Sequence, residues 1–250
     1  MAAERTYAEW PARYAPRGSV ACVWAARPTA RSPGLVLPDA CIDVIWDGRE
    51  LFVAGPDTGP VPVPYQPGIV FAGVRFRPGR APAFLCVPAS EMLDLRVPLA
   101  DLWGCAEAGR LADELARSPD PYAAASLLDK AIAARAGHAT SPDPVVDGLV
   151  TLLRCEPDAR GAVRSASEAL SVGERRLLRR CRAAVGYGPK TLERVLRFQR
   201  AIRLAPRSES LGVLAAMAGY ADQAHLTREC RRMAGITPSD LFKTADRAAA

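Results

Sequence analysis

Residues 216–235, AMAGYADQAHLTRECRRMAG, bring together side chains that could do chemistry: one of only two histidines in the chain, a cysteine and three arginines. Imidazole and thiolate groups bind metal ions or act in catalysis. Clustered arginines instead bind the phosphates of a polyanion. The rest of the sequence must decide between a catalytic or metal site and a surface for a negatively charged partner.

The cysteines argue against a metal site or a disulfide framework. Their number is odd, they are widely spaced, and no Cys-x-x-Cys pair occurs. We therefore predict reduced cysteines that mostly fill the core, with a thiol-based redox sensor as the alternative, and we predict no metal and no cofactor. The seven positions are Cys22, Cys41, Cys86, Cys105, Cys155, Cys181 and Cys230.

The net charge of +6 is unevenly distributed. Residues 1–150 carry 14 basic against 17 acidic side chains, a balance of −3, whereas residues 151–250 carry 19 against 10, a balance of +9. A basic C-terminal part indicates a polyanionic partner, and an acidic N-terminal part indicates a different task. A merely solvated basic face is the alternative interpretation of the charge.

Several classes of protein are not expected. No apolar run reaches the ~18 residues of a membrane span, and residues 1–18 lack the apolar core of a secretory signal, so we expect a cytoplasmic protein with no membrane partner. No Gly-x-Ser-x-Gly elbow, no Gly-x4-Gly-Lys phosphate loop and no histidine–carboxylate set for acid–base chemistry is present. We therefore predict that the chain is not an enzyme.

The first hundred residues show the pattern of short strands. In CIDVIW, Ile42, Val44 and Trp46 share one face, and a turn at Asp47-Gly48 predicts a hairpin over residues 41–54. Val74 and Phe76 alternate with two arginines in the same way. The predicted class is α+β, with a small N-terminal β-barrel or sandwich and a helical pair.

Helical periodicity begins near residue 88. Leu111 and Leu115 share one helical face, and Leu128 and Ile132 share another, which follows an Asp cap and a proline. The segment GHATSPDP lacks periodicity. We therefore predict an N-terminal domain over 1–137, a linker over 138–143 and a C-terminal domain over 144–250.

The C-terminal region is an internal duplication. A shift of 49 residues superposes leucine, arginine, cysteine, glycine and proline positions of the two copies, Leu177 on Leu226 and Cys181 on Cys230 among them. Each copy consists of a short helix, a tight turn and an arginine-rich second helix. A B-DNA major groove admits such a helix, and arginine contacts both guanine and phosphate.

Helical spacing turns the cysteines inward with the leucines and leaves the arginines outside. His225 precedes the inward Leu226, so we predict that it contacts a phosphate or rests on the turn. The predicted DNA-binding residues are Arg175, Arg176, Leu178, Arg179, Arg180, Arg182, Gln223, Ala224, His225, Thr227, Arg228, Arg231 and Arg232.

The stretch LAAMAGYADQAHLTRECRRMAGITPSDLF resembles the signature of the AraC/XylS family of transcription regulators, and LSVGERRLLRRCRAAVGYGPKTLERVLRFQRAIRL resembles that family's first helix-turn-helix. The resemblance implies an all-α tandem helix-turn-helix domain of seven helices. It places recognition helices at about 174–185 and 223–234, with a connecting helix at about 190–205. It implies base-facing positions at Arg175, Leu178 and Arg179, and at Gln223, Ala224, Thr227 and Arg228. Two departures are cysteine at an aromatic core position and the apolar Leu178 and Ala224.

The N-terminal stretches LPDACIDVIW, VAGP, GVRFRPG and VPASEMLDLRVPLADLWG resemble the sensor region of an actinobacterial regulator subgroup. The family plan implies a domain that binds a small-molecule effector and dimerises. Aromatic and charged residues on the predicted strands and at a helix end are the candidate effector contacts: Trp24, Asp43, Trp46, Arg75, Arg77 and Trp103.

The leading hypothesis is a sequence-specific, effector-responsive DNA-binding regulator. Its predicted partners are double-stranded DNA, an effector and a second copy of the chain, with RNA polymerase as a further candidate. The alternatives are a weakly specific nucleoid-type DNA binder and a DNA alkyl-transfer repair protein. The repair proteins carry a zinc-bound cysteine cluster before the helix-turn-helix pair, and no such cluster occurs in this sequence.

Overall fold

The structure, a computed structural model, describes residues 5–29, 31–139, 141–155 and 162–242. Residues 1–4, 156–161 and 243–250 of the predicted domains, and residue 140 of the predicted linker, lie outside the described residues. Strands dominate the first hundred residues and helices the remainder, so the predicted α+β class is confirmed.

The strands form two open antiparallel sheets. The larger sheet has six strands in the order β1-β2-β7-β4-β5-β8, and β3 and β6 form the smaller one. The strands are β1 (Arg5–Trp10), β2 (Val20–Pro28), β3 (Ser32–Val36), β4 (Ile42–Trp46), β5 (Leu51–Ala54), β6 (Val61–Tyr65), β7 (Phe71–Phe76) and β8 (Arg96–Pro98). Pro62 and Pro64 lie on β6, where they limit further pairing of that strand, since proline cannot donate a ladder hydrogen bond.

The predicted hairpin over residues 41–54 is confirmed. Trp46 pairs with Leu51 and Asp43 with Ala54, and the carboxylate of Asp47 accepts hydrogen bonds from the backbone N–H groups of Arg49 and Glu50. Gly48 has φ +91°, a conformation that favours glycine. The turn chemistry visible in the sequence therefore sets the register of this hairpin.

Successive residues of the larger sheet alternate between two faces. Ile42, Val44 and Trp46 are buried on the face that packs against helix α4, together with Val74 and Phe76. Asp43 and Ile45 lie on the opposite face, toward the smaller sheet. The helices of this half are α1 (Pro82–Leu85), α2 (Leu99–Trp103), α3 (Cys105–Ala116) and α4 (Pro121–Arg135).

Helices α3 and α4 bury their predicted apolar stripes within their own chain. Leu111, Leu115, Leu128 and Ile132 all belong to the core of the N-terminal half, and Asp120 caps α4 as predicted. A homodimer formed through these helices, as the family plan implies for this domain, would need an apolar face that their own chain leaves uncovered. The dimer stays a prediction, but these four side chains no longer support it.

The C-terminal half contains the seven predicted helices, the last of them at residues 238–242 of the described chain. The others are α5 (Pro144–Cys155), α6 (Ala162–Ala169), α7 (Glu174–Val185), α8 (Pro189–Leu204), α9 (Leu211–Ala218) and α10 (Gln223–Ala234). The bounds of α6 and α9, and those of α7 and α10, differ by the same 49 residues as the sequence repeat. No helix in the described part of the chain is long and apolar enough to span a membrane.

The buried cysteines of the repeat allow a test of this packing. Cys181 and Cys230 have no solvent-accessible surface, and burial raises the pKa of both thiols to about 12. We expect Cys230→Ser to lower the free energy of unfolding by about 1 to 3 kcal/mol, because the new hydroxyl is buried without a strong partner. Denaturation in urea measures this loss.

The matched control is Cys155→Ser, because Cys155 is exposed and surface substitutions usually change stability by less than about 0.5 kcal/mol. Equal stabilities of the two serine variants would contradict the inward position of Cys230.

Candidate nucleic-acid interface and ligand cavity

The second helix-turn-helix unit consists of α9, a tight turn and α10. The Ser210 side chain caps α9, and Gly219 ends the helix at φ +83° with its N–H bonded to Ala215 and Ala216 carbonyls. The Asp222 carboxylate accepts the N–H of His225 at 2.6 Å and begins α10. Standard capping chemistry therefore positions the second recognition helix.

Each recognition helix has a buried stripe and an exposed face, as predicted. Leu226, Cys230 and Met233 are buried on α10, and Leu177 and Cys181 on α7. Nine predicted DNA-binding residues are exposed and together carry seven positive charges: Arg175, Arg176, Arg179, Arg182, Gln223, Ala224, Arg228, Arg231 and Arg232. Leu178 is also exposed, at 37%.

Three other predicted DNA-binding residues are half-buried and make contacts within the chain. The His225 ring rests on the turn, where Nδ1 accepts the N–H of Ala221 at 3.4 Å and the Tyr220 ring lies edge-on at 5.0 Å. The Thr227 hydroxyl donates to the Gln223 carbonyl at 2.9 Å. The third residue is Arg180.

Arg180 forms a bidentate ion pair with Asp143. Its Nε and Nη2 each lie 2.6 Å from a carboxylate oxygen, and the same carboxylate accepts the N–H of Val145 at 2.9 Å to cap α5. Partial burial alone would raise the pKa of Asp143, but the Arg180 hydrogen bonds and those of the capped N–H groups lower it. Asp143, in the predicted linker, thus ties α5 to α7.

Glu229 holds α10 in an equivalent way, which the sequence alone did not reveal. Arg194 of α8 donates from Nε and Nη2 to both Glu229 carboxylate oxygens at 3.1 Å. Arg200 of the same helix donates to the Met217 carbonyl at the end of α9, at 3.0 Å. Helix α8 therefore contacts both helices of the second unit.

The N-terminal half contains a cavity of about 150 Å³ between its two sheets. Three of the six predicted effector contacts line it: Trp24, Asp43 and Arg75. The others lie elsewhere. Trp46 is buried in the core on the helical side of the sheet. Arg77 is exposed, with Nε donating to the Arg17 carbonyl, and Trp103 donates from Nε1 to the Phe84 carbonyl and stacks against Arg135.

An ion cluster forms one wall of the cavity. Asp43 lies opposite Arg75 in the β4–β7 register, and its carboxylate accepts Nε of Arg75 at 3.2 Å and Nε1 of Trp24 at 2.9 Å. Asp43, with further help from Asp39, raises the pKa of Arg75 against the opposing effect of burial. A Cβ at Gly73 would lie 2.4 Å from the Trp24 indole, so the close approach of that ring requires glycine.

Sequence reasoning missed much of the cavity. Asp39, Tyr65 and Phe71 line it together with the predicted residues, and the Tyr65 and Phe71 rings meet edge to face at 5.7 Å. Phe71 could have been found from the alternation along β7. Within the described residues, no group of three or more histidine, cysteine or acidic side chains could hold a metal ion.

The Arg180–Asp143 pair generates a prediction. We expect Asp143→Ala to lower the free energy of unfolding by about 0.5 to 2 kcal/mol through loss of the helix cap, and Asp143→Asn to lower it less because the amide oxygen still caps α5. Because the folded pKa is lowered, this stabilisation is present above the unfolded value of about 3.9 and is lost as the pH falls through the folded value.

Urea denaturation of wild type and both variants between neutral and acid pH measures these effects. A gap between wild type and Asp143→Asn that stayed constant across this range would contradict the ion pair.

Known family models match both halves of the chain. Residues 166–244 match a family model described as a helix-turn-helix domain, of the AraC type, and residues 16–98 match a domain of unknown function, DUF6597. No curated protein matches the chain.

The crystal structure of ToxT from Vibrio cholerae O395 is similar at 10% identity and a TM-score of 0.47, over 88% of this chain and 95% of that one. A second crystal form of ToxT from Vibrio cholerae gives 10% identity and a TM-score of 0.47 over 88% and 96%. By its two family-model matches, the chain is a DNA-binding transcriptional regulator with an AraC-type helix-turn-helix domain that follows an N-terminal domain of unknown function.

Proposed function

We propose that this regulator binds a specific DNA sequence through α7 and α10 and responds to a small molecule held in the N-terminal cavity. The observation that carries the proposal is a shared wall. Residues of the segment Leu37–Cys41 line the cavity, and Leu37 and Ala40 pack into the core of the DNA-binding half, so one short segment contacts both.

The two recognition helices suit consecutive major-groove contacts. Helix α8 has 16 residues, a length of about 24 Å. With its flanking turns it can separate α7 and α10 by the roughly 34 Å of one DNA turn. One chain would therefore bind two short boxes on one face of the DNA.

Roles for individual arginines follow from their positions. Arg179 and Arg228 are equivalent in the 49-residue repeat and are exposed on α7 and α10, so we assign each to a guanine edge. Arg182 and Arg232 are exposed nearer the helix ends, where we assign them to phosphates. The exposed Leu178 and Ala224 suit contact with a thymine methyl group.

Three residues of the shared wall show how it joins the halves. Leu37, Asp39 and Cys41 line the cavity. Between them, the Pro38 carbonyl accepts Nε2 of Gln199 on α8 at 2.8 Å. Ala40 is 2% exposed within the core of the DNA-binding half, at φ +68°.

A second wall segment contacts the end of α7. Gly55 and Asp57 line the cavity. Between them lies Pro56, and a Cβ on Gly186 would come within 2.5 Å of its Cγ. Gly186 is the left-handed residue that ends α7. Ligand binding that moves either wall segment would therefore change the support of the first recognition helix.

The proposal is tested with the full chain by selecting bound fragments from genomic DNA, with and without added small molecules. A shared sequence of two boxes about one helical turn apart supports sequence-specific binding. Fragments without a common sequence would instead support a weakly specific nucleoid-type binder.

Alanine substitution tests the base contacts. We expect Arg179→Ala and Arg228→Ala each to weaken binding by about 1 to 3 kcal/mol and to relax base preference only within its own box. Arg182→Ala and Arg232→Ala are the controls and should weaken binding to all sequences alike, with a smaller salt dependence. Selection from a random DNA library measures the base preference of each variant, and titration of the selected DNA at several salt concentrations measures affinity and its salt dependence. Uniform loss with an unchanged preferred sequence in Arg179→Ala and Arg228→Ala would assign those arginines to phosphates.

Two equivalent glycines test the contact between the halves. Gly186→Ala and Gly235→Ala place Cβ at the same left-handed position of each copy, φ +98° and +72°. The first new Cβ meets Pro56 Cγ at 2.5 Å, whereas the second lies 3.8 Å from Pro60 Cγ, an ordinary contact. We expect Gly186→Ala to lose about 1 to 3 kcal/mol more stability and to weaken binding at the box contacted by α7. Chemical denaturation and titration with each box measure this, and equal effects of the two variants would remove the contact from the proposal.

A further inference from the structure

We propose that the ligand of the N-terminal cavity is a small organic cation, an amine with a compact aromatic or apolar body, whose ammonium group binds the carboxylate of Asp39. This inference rests on the proposed function, because it assigns a chemical class to the ligand of that same cavity.

The charged residues that line the cavity do not balance. Three carboxylates, those of Asp39, Asp43 and Asp57, face two guanidinium groups, those of Arg75 and Arg96. Because a charge removed from water requires a partner, a ligand that brings one positive charge would neutralise the excess.

The existing pairs show which carboxylate is in excess. Asp57 and Arg96 form a bidentate pair with both distances at 2.9 Å. Asp43 accepts Nε1 of Trp24 at 2.9 Å and Nε of Arg75 at 3.2 Å. Both guanidinium groups therefore already have a close carboxylate partner.

Asp39 is the most weakly paired of the three carboxylates. Its Oδ1 accepts the N–H of Cys41 at 2.8 Å, but its Oδ2 lies 3.6 Å from Nε of Arg75, beyond ordinary hydrogen-bond distance. Burial raises the pKa of Asp39 although the charge of Arg75 opposes this rise, so Arg75 compensates the ionised form only in part, and 31% of the side chain stays exposed. An ammonium group can donate to Oδ2 and supply the missing charge.

Aromatic rings form the rest of the binding surface. Trp24, Phe52, Tyr65 and Phe71 line the cavity on the two sheets. Aromatic faces attract cations, and cages of rings bind methylated ammonium groups. The same rings can also hold the apolar body of an amine, so carboxylate and rings favour one class of ligand.

The dimensions limit the ligand to a small molecule. The cavity volume of about 150 Å³ lies below the roughly 300 to 1,000 Å³ of sites for drug-sized ligands. An anionic ligand would add a second excess negative charge beside the three carboxylates. The charge balance therefore favours the cation.

Calorimetry with the full chain and four probes of similar size tests the inference. Benzylamine and benzyltrimethylammonium carry the positive charge, phenylacetate carries a negative charge, and benzyl alcohol is neutral. We expect saturable binding of at least one cation, and at least tenfold weaker or no binding of phenylacetate and benzyl alcohol.

Two variants test whether the carboxylate of Asp39 binds the charged group of the ligand. Asp39→Asn should fold, because the amide oxygen can still accept the Cys41 N–H, and should weaken cation binding at least tenfold. Glu50→Gln, which changes an exposed carboxylate outside the cavity lining, should leave it unchanged. Circular dichroism and thermal unfolding of both variants confirm that any loss of binding does not reflect loss of the fold.

The outcomes separate this inference from the proposed function. Preferred binding of phenylacetate or benzyl alcohol would leave the ligand cavity in place and overturn the cationic class. Undiminished amine binding by Asp39→Asn, or no binding of either cation at millimolar concentration, would also overturn it. Sequence-specific DNA selection is measured without any probe and stands or falls independently.

Discussion

The guanidinium of Arg75, held on the covered face of the larger sheet, determines most of the arrangement around it. A charge in this position needs carboxylates close by. Asp43 supplies one from the directly opposite position of β4, and Asp39 supplies a second from the segment before that strand. Because Asp39 pairs with Arg75, the segment Leu37–Cys41 lies between the sheets and the DNA-binding half. There the Pro38 carbonyl accepts a hydrogen bond from α8, and Ala40 is buried in the core of the DNA-binding half.

The two helix-turn-helix units show how one backbone pattern accommodates different charges. Arg180 and Glu229 occupy the same position 49 residues apart, and both are half-buried. Each forms a bidentate ion pair that ties its recognition helix to an earlier helix, Arg180 to the cap of α5 and Glu229 to Arg194 of α8. In both units this position forms an ion pair that holds the recognition helix, and the sign of its charge is opposite to that of its partner. The outward arginines of the two helices do not have this structural role.

The sequence predicted features that depend on residues close together in the chain and missed features that depend on tertiary contacts. The family resemblance implied the bounds of α7 and α10, and the buried stripes of these helices and the glycines at their ends were visible within each segment. The alternating faces of β4 and β7 identified Asp43 and Arg75 for the same reason. Asp39 and Tyr65 were missed because the pairing of β3 with β6 is set by tertiary structure. The partners of Arg180 and Glu229 likewise lie 35 or more residues away along the chain.

The contacts between the halves are concentrated on the first helix-turn-helix unit. Arg80 pairs with Asp147 of α5 at 2.8 Å, and Pro56 packs at the end of α7, where burial followed by the charge of Asp39 raises the pKa of Tyr187. At the end of α10 the corresponding approach, between Gly235 and Pro60, is an ordinary van der Waals contact. Displacement of the Pro56 wall segment would therefore act on α7 before α10. Under the proposed function, this asymmetry suits a regulator in which α10 holds one DNA box constantly while the ligand controls how well α7 holds the other.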